Sequence, residues 1–427
     1  MSSDGLTARP ATLRQCAILA GGLATRLGPL AAATPKPLLP CGDRPFLGWL
    51  LRELCRFGVE QVLLLTGHLA DSVAASVADL AAGLPRRLEI TLSTEPHPAG
   101  TAGALWHARD RLDERFLLLN GDSLLAGNLA ALLADAARDD AASVVGRLAL
   151  AEVADTGRYG VVDLAGDRIT GFRERPAAGG GGKGRISAGI YALDRRILEA
   201  LPAEGSLERD VLPRLAARGA LRATVLPGWF IDIGIPDDLA RARAELKGRL
   251  SRRALFLDRD GVLNHDLGYV GTRERFRWMT GAAAAVRAAS DAGWHVFVVT
   301  NQSGIARGFY DADAVAALHA WMADELRRAG GTIDDVRYCP HHPAAPLPAW
   351  RRICACRKPG AGMLLDLLRA WQLDPAACVM VGDQATDLEA AAAAGMPGVH
   401  FAGGDLAAAV RPLLARDLPI RSPPDGP

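Results

Sequence analysis

The chain has 427 residues, 49% of them hydrophobic and 23% charged, with a formal net charge of +1. That make-up fits a globular protein of two or three domains with a sizeable core. It excludes an electrostatic nucleic-acid binder, which needs a basic excess, and no apolar run approaches the roughly 18 residues a membrane helix needs.

The N-terminal stretch MSSDGLTARPATLRQ has no apolar signal core. The expected location is therefore the cytoplasm, a reducing compartment. Cys16, Cys41, Cys55 and Cys378 are scattered in apolar segments and read as buried free thiols. Short apolar strands alternate with alanine-rich helical patterns, which predicts an α/β chain with parallel sheets. The alternation starts twice, at QCAILAGG near residue 15 and at ALFLDRDG from residue 254, with the charged helical segment DDLARARAELKGRLSRR between. Two domains follow, 1–248 and 252–420. The stretch AAGGGGKG, residues 177–184, holds four consecutive glycines and predicts a mobile loop.

The first domain opens with AILAGGLATRLGPLAAATPKPLLP. A buried strand ends in Gly21-Gly22, and Thr25, Arg26 and Pro35-Lys36-Pro37 follow. Glycines after a strand let backbone N–H groups approach phosphate oxygens, and Arg26 and Lys36 can neutralise them. A plain glycine turn with two solvated basic residues would read the same locally. The combined pattern is more specific. With EPHPAGTAGAL (95–105), LLLNGDSL (117–124), GFRERP (171–176), ISAGIYAL (186–193) and WFIDIGIPDDL (229–239), it resembles the sugar-1-phosphate nucleotidylyltransferases. The resemblance implies a Rossmann-like, GT-A-like sheet. It implies nucleotide contacts at Gly21, Gly22, Thr25 and Gly103, sugar-side contacts at Glu174 and Gly189, and Mg²⁺ between Asp122 and Asp232. A sugar 1-phosphate oxygen would attack the α-phosphorus of a nucleoside triphosphate and expel pyrophosphate. Mg²⁺, Arg26 and Lys36 would offset the repulsion between the two anions. Two departures stand out. Ala24 occupies a usual glycine position, and Arg175 replaces a frequent lysine of the sugar motif, for which Lys183 is an alternative.

In the second domain, ALFLDRDGVLN delivers Asp258 and Asp260 at a strand end, two carboxylates that call for a cation. HVFVVTNQSGIARG ends a buried strand at Thr300. CRKPG supplies Lys358, and CVMVGDQATDLEAAAAAG ends another strand at Asp383, with Asp387 one turn later. Such residues converge at the carboxyl edge of a parallel sheet. The segment CPHHPAAPLPAWRRICACRKPG adds Cys339, His341, Cys354 and Cys356, four soft ligands whose spacing suits a closed zinc site better than a disulfide.

The aspartate, threonine, lysine and aspartate motifs, in this order, resemble the haloacid dehalogenase-like phosphatases. The cysteine-histidine loop resembles the heptose-bisphosphate branch and the related histidinol-phosphate phosphatases. The resemblance implies a Rossmannoid sheet with a structural zinc loop and no large cap. Asp258 becomes the nucleophile and Asp260 the general acid-base. Thr300, Lys358 and Asn301 face the phosphoryl group. Asp258, Asp383 and the Asp260 backbone carbonyl hold Mg²⁺, Asp387 supports from behind, and Arg307 and Arg357 are candidates for a second substrate phosphate. The two activities would be consecutive. Heptose 1,7-bisphosphate would lose its 7-phosphate, and the heptose 1-phosphate would take a nucleotidyl group, GTP being the favoured donor, to give GDP-heptose. Alternative readings have the first domain acting on another sugar or nucleotide, or serving as an idle nucleotide-sugar sensor, and the second as histidinol-phosphatase-like.

Overall fold

The computed structural model describes residues 13–173 and 182–415. The chain divides into two compact units, residues 1–250 and 251–427.

In the first unit, the apolar run at Gln15–Leu19 forms a buried strand. It lies between the parallel strands Gln61–Thr66 and Arg115–Asn120, with Glu89–Thr94 beyond. The nine-stranded sheet continues through Gly184–Asp194, Gly146–Val153, Leu221–Val225, Arg168–Arg173 and Val161–Ala165. Gly184–Asp194 runs antiparallel to both of its long neighbours. The sheet is therefore mixed, which corrects the all-parallel expectation. For the edge pair the cause is local: Val161–Ala165 and Arg168–Arg173 are joined by a tight turn at Gly166, whose φ is +65°, and so short a connection can only join antiparallel strands. A separate ribbon pairs Ser123–Ala126 with Trp229–Asp232 and sets Asp232 opposite Ser123. Phe116, Leu118, Leu148 and Tyr191 lie at the centre of the core.

The second unit has a five-stranded parallel sheet in the order Asp335–Cys339, His295–Asn301, Ala254–Leu257, Cys378–Gly382, Gly398–His400. All four residues of Ala254–Leu257 are buried, as expected of a central parallel strand covered on both faces. Leu255, Val296, Val298 and Val381 pack into one apolar cluster with Ala285 and Val286 from helix Ala282–Asp291 and Leu318 and Met322 from helix Ala312–Arg328. In both units the first strand lies between two strands that come later in the chain. The loop after it thus emerges where the strand order reverses, which is where open α/β sheets bind ligands. Among the described residues no helix is long and apolar enough to cross a membrane.

Candidate active sites

The loop after Gln15–Leu19 borders a cleft of about 420 Å³, lined among others by Gly21, Gly22, Thr25, Lys36, Glu95, Thr101, Asn120 and Asp122. Gly21 is required by close approach: a Cβ there would lie 2.8 Å from the Gly67 amide nitrogen. Pro35 and Pro37 flank Lys36, whose Nζ bonds Asp122 Oδ2 at 2.7 Å. The ribbon brings Asp232 beside Asp122, and Ser123 Oγ lies 3.3 Å from a carboxylate oxygen of each. Burial, then the Asp122 charge, pushes the Asp232 carboxyl up to about 6, against the pull of the Gly234 N–H, Lys36 and Arg26. Two carboxylates so placed fit a divalent cation, which removes the repulsion that raises Asp232. Gly189 abuts the Asn120 side chain at the end of strand Arg115–Asn120.

Several expected contacts are placed differently. Gly103 is buried in helix Gly100–His107, where a Cβ would meet the Ala203 carbonyl oxygen at 2.6 Å. It is not among the residues lining the cleft, and close packing accounts for the missing side chain. Lys183 lies 3.6 Å from Glu152 and lines a different depression with Arg173 and Arg185. Glu174 and Arg175 lie outside the described residues. Two cleft residues not singled out from the sequence are Glu95 and Asn120. Glu95 Oε2 accepts from the Ala99 N–H at 3.2 Å, and Asn120 Oδ1 is buried with no hydrogen-bond partner. Both stand inside quoted motifs, directly at strand ends, and that position was the available signal.

In the second unit a cavity of about 380 Å³ is lined by Asp258, Asp260, Thr300, Asn301, Lys358, Asp383 and Asp387, with Tyr269, Gln302 and Tyr310. Lys358 is buried, and its Nζ lies 2.9 Å from Asp258 Oδ1 and 2.7 Å from Asp387 Oδ1 and donates to the Val299 carbonyl at 2.9 Å. Burial pulls the ammonium down, but the Asp258 and Asp387 charges outweigh it and the net direction is up. Burial pushes the Asp258 carboxyl up to about 7 against the pull of Lys358, a cation it shares with Asp387. Asp258, Asp383 and Asp387 each bring a carboxylate oxygen within 4.8 Å of the others, and Asp383 Oδ1 is buried without a partner. This is an all-oxygen donor set of the kind Mg²⁺ takes. The Asp260 side chain is not in that group. Asp387 also caps helix Ala385–Ala393, accepting the Gln384 N–H at 3.0 Å.

Thr300 Oγ1 accepts from Gln302 Nε2 at 2.8 Å. The Asn301 amide makes a reciprocal pair with the Lys358 backbone, at 3.1 and 3.2 Å, and so fixes the lysine's loop. Arg307 stacks over the Tyr269 ring at 5.6 Å, and Arg357 donates to the His341 carbonyl at 3.2 Å. Neither arginine lines the cavity, but both charges act on His342, which burial and these two cations hold below its ordinary value. Gln302, Tyr310 and Arg259 are the residues that sequence reasoning left out.

Cys339, His341, Cys354 and Cys356 converge so that their ligand atoms all lie within 4.8 Å of one another. The sulfurs are 3.2 to 3.5 Å apart, and His341 Nδ1 is 3.4 Å from Cys356 Sγ and 3.6 Å from Cys339 Sγ. Tetrahedral bonds of about 2.3 Å from sulfur to zinc set sulfurs about 3.8 Å apart, so only a slight expansion is needed to admit the ion.

Comparison with known proteins gives each unit a family. Residues 16–248 match the nucleotidyl transferase family and residues 355–413 the HAD-hydrolase-like family. The chain is 55% identical over 163 residues to a D-glycero-β-D-manno-heptose-1,7-bisphosphate 7-phosphatase of Rhodopseudomonas palustris, covering 38% of this chain and 91% of that protein. Among solved structures, HddC of Yersinia pseudotuberculosis aligns at 30% identity and a TM-score of 0.48, over 55% of this chain and all of that one. A heptose bisphosphate phosphatase of B. bronchiseptica, complexed with magnesium and phosphate, aligns at 36% identity and a TM-score of 0.32, over 39% of this chain and 88% of that one. Through its first unit the chain belongs to the nucleotidyl transferase family, and through its second to the family of the heptose-1,7-bisphosphate 7-phosphatases.

Proposed function

We propose that the chain is a bifunctional enzyme of nucleotide-activated heptose synthesis. The second unit removes the 7-phosphate of D-glycero-D-manno-heptose 1,7-bisphosphate, and the first transfers GMP from GTP to the heptose 1-phosphate. The observation that carries this reading is the 55% identity to the Rhodopseudomonas palustris phosphatase, borne by a chain whose other unit has a nucleotidyl transferase site. The product of one reaction is the kind of substrate the other needs.

In the second unit an Asp258 oxygen bonds phosphorus. The bond from phosphorus to the sugar oxygen breaks, and that oxygen takes a proton from Asp260. A water oxygen then bonds phosphorus and gives its proton to Asp260, and the Asp258–phosphorus bond breaks. Lys358 and Thr300 hold the phosphoryl oxygens, and Arg307 and Arg357 hold the anomeric phosphate. Cys339, His341, Cys354 and Cys356 would hold a structural zinc ion, and their loop would shape the pocket in place of a large cap. This fits residues 258–281, which carry no regular element beyond the short turn Arg273–Arg275. Asp258, Asp383 and Asp387 would hold Mg²⁺, with the Asp260 carbonyl.

In the first unit the nucleophile is a phosphate oxygen that is already ionised, so no base is required. The loop Gly21–Thr25, Arg26 and Lys36 hold the triphosphate, while Asp122 and Asp232 would hold Mg²⁺. In both sites the bound ion supplies neutralisation of phosphate charge. Glu95 supports guanine, because a carboxylate only accepts hydrogen bonds and guanine offers two adjacent N–H donors.

The test uses the purified full chain with each anomer of the bisphosphate and no nucleotide, followed by phosphorus NMR. A remaining anomeric phosphate signal is expected. Survival of the 7-phosphate would overturn the order of steps. Addition of GTP, ATP, CTP or UTP in turn should release pyrophosphate fastest with GTP. Release with none of the four would leave the first unit as a sensor.

A further inference from the structure

We propose that Arg259 is the positioning residue for the proton donor Asp260; this rests on the phosphatase reading above. Arg259 stands between the two aspartates of the strand-end motif and is fully buried. A buried guanidinium is costly unless its donors are used, and here they converge on one group. Nε lies 3.2 Å from Asp260 Oδ1, and Nη2 lies 2.9 Å from Oδ1 and 2.7 Å from Oδ2. Nη2 also donates to the Val270 carbonyl, and Nη1 lies 3.2 Å from His319 Nε2. His319 is buried and held neutral, so its Nε2 can accept. The guanidinium plane is thus fixed from behind before it meets the carboxylate.

The far side of Asp260 is fixed as well. Asn264 Nδ2 donates to Oδ1 at 2.9 Å. Gln302 Nε2 bridges Asp260 Oδ2 and Thr300 Oγ1, each at 2.8 Å, and its own Oε1 accepts from Tyr310 at 2.9 Å. Hydrogen bonds from Arg259, Asn264 and Gln302 to both carboxylate oxygens hold the group in one orientation. Proton transfer needs the donor within about 2.6–3.2 Å of the leaving oxygen, so a carboxyl group free to swing loses most of its effect. Arg259 does not touch substrate; it acts through Asp260.

A purely structural arginine would slow every substrate equally. A positioning arginine makes a different prediction. Expulsion of a sugar or other alkyl oxygen requires the proton, while p-nitrophenolate leaves without it. The measurement is kcat/KM, which reports the first phosphoryl transfer, for a heptose bisphosphate and for p-nitrophenyl phosphate. It is made on the full chain and on Arg259→Met and Arg259→Lys, with folding checked by thermal melting. For Arg259→Met the alkyl ester should fall about 100-fold and the aryl ester less than about fivefold, with Arg259→Lys between. Equal losses on both esters would overturn the proposal. Should the methionine variant fail to fold, the lysine variant carries the same comparison: it keeps the charge but loses the fork, and must still show the gap. If the unaltered chain hydrolyses neither ester, or Asp258→Asn still does, the phosphatase reading itself fails.

Discussion

Individual residues carry much of the chemistry through their surroundings. His319 is a case where burial, with the neighbouring Arg259 charge, lowers the imidazole to about 3 from an ordinary 6.5. Below pH 6.5 the unfolded chain takes up a proton that the folded chain refuses. The stability is therefore fully present above pH 6.5 and is lost as pH falls toward 3, at about 1.4 kcal/mol per pH unit. Unfolding free energies from urea titrations at pH 7 and pH 5 for the chain and for His319→Gln should differ in their pH dependence by about 2 kcal/mol; identical dependence would show that His319 is not the source. Ala24 offers a second test. It holds φ +51° in the loop after Gln15–Leu19, a conformation that costs an L-residue about 1–2 kcal/mol, and its sequence position marks it as a usual glycine. Ala24→Gly should raise the thermal midpoint, the net gain being about 0.5–1 kcal/mol after glycine's own entropy. An unchanged or lower midpoint would mean that the loop tolerates the methyl without strain. Asp258, Lys358 and Asp122 were legible because each follows an apolar strand or a short motif. Arg259 and Gln302 were not, because their partners are buried side chains that strand patterning does not announce. The packing that requires a glycine at 103 was not legible, because one of its close neighbours, the Ala203 carbonyl, comes from a loop a hundred residues away in sequence.

At the scale of elements, the cysteine-histidine loop links strand Asp335–Cys339 to Lys358. Cys356 stands two residues before that lysine, and the Asn301 amide grips the lysine's backbone from the other side. Zinc removal should therefore weaken the phosphatase, because the four ligands tie the start of the loop to the segment that leads directly into Lys358. Cys354→Ser is expected to lower bound zinc from about one per chain and to cut phosphate release at least tenfold. Elemental analysis alongside the phosphatase assay checks both, and full zinc retention would remove the assignment. The parallel half of the first sheet followed from the alternation of strands and helices. The antiparallel pairings did not, since a short turn and a crossover leave similar apolar runs, and the turn at Gly166 marks only the pair Val161–Ala165 with Arg168–Arg173.

For the whole molecule, each unit has its own sheet, core and site. Asp258→Asn is predicted to abolish phosphate release while leaving nucleotidyl transfer to supplied heptose 1-phosphate within about twofold, and Asp122→Ala to do the reverse. Assaying both activities on both variants decides it; loss of both from either change would mean the units depend on each other. Two complete cores on one polypeptide also fix the copy number of the two catalysts at one to one. At a given bisphosphate concentration the enzyme amount then cancels from the balance between making and using the intermediate. On the function proposed above, cells that differ severalfold in their content of this protein would differ in output, yet hold the same standing level of the shared intermediate, a level written into the rate constants and not into gene expression.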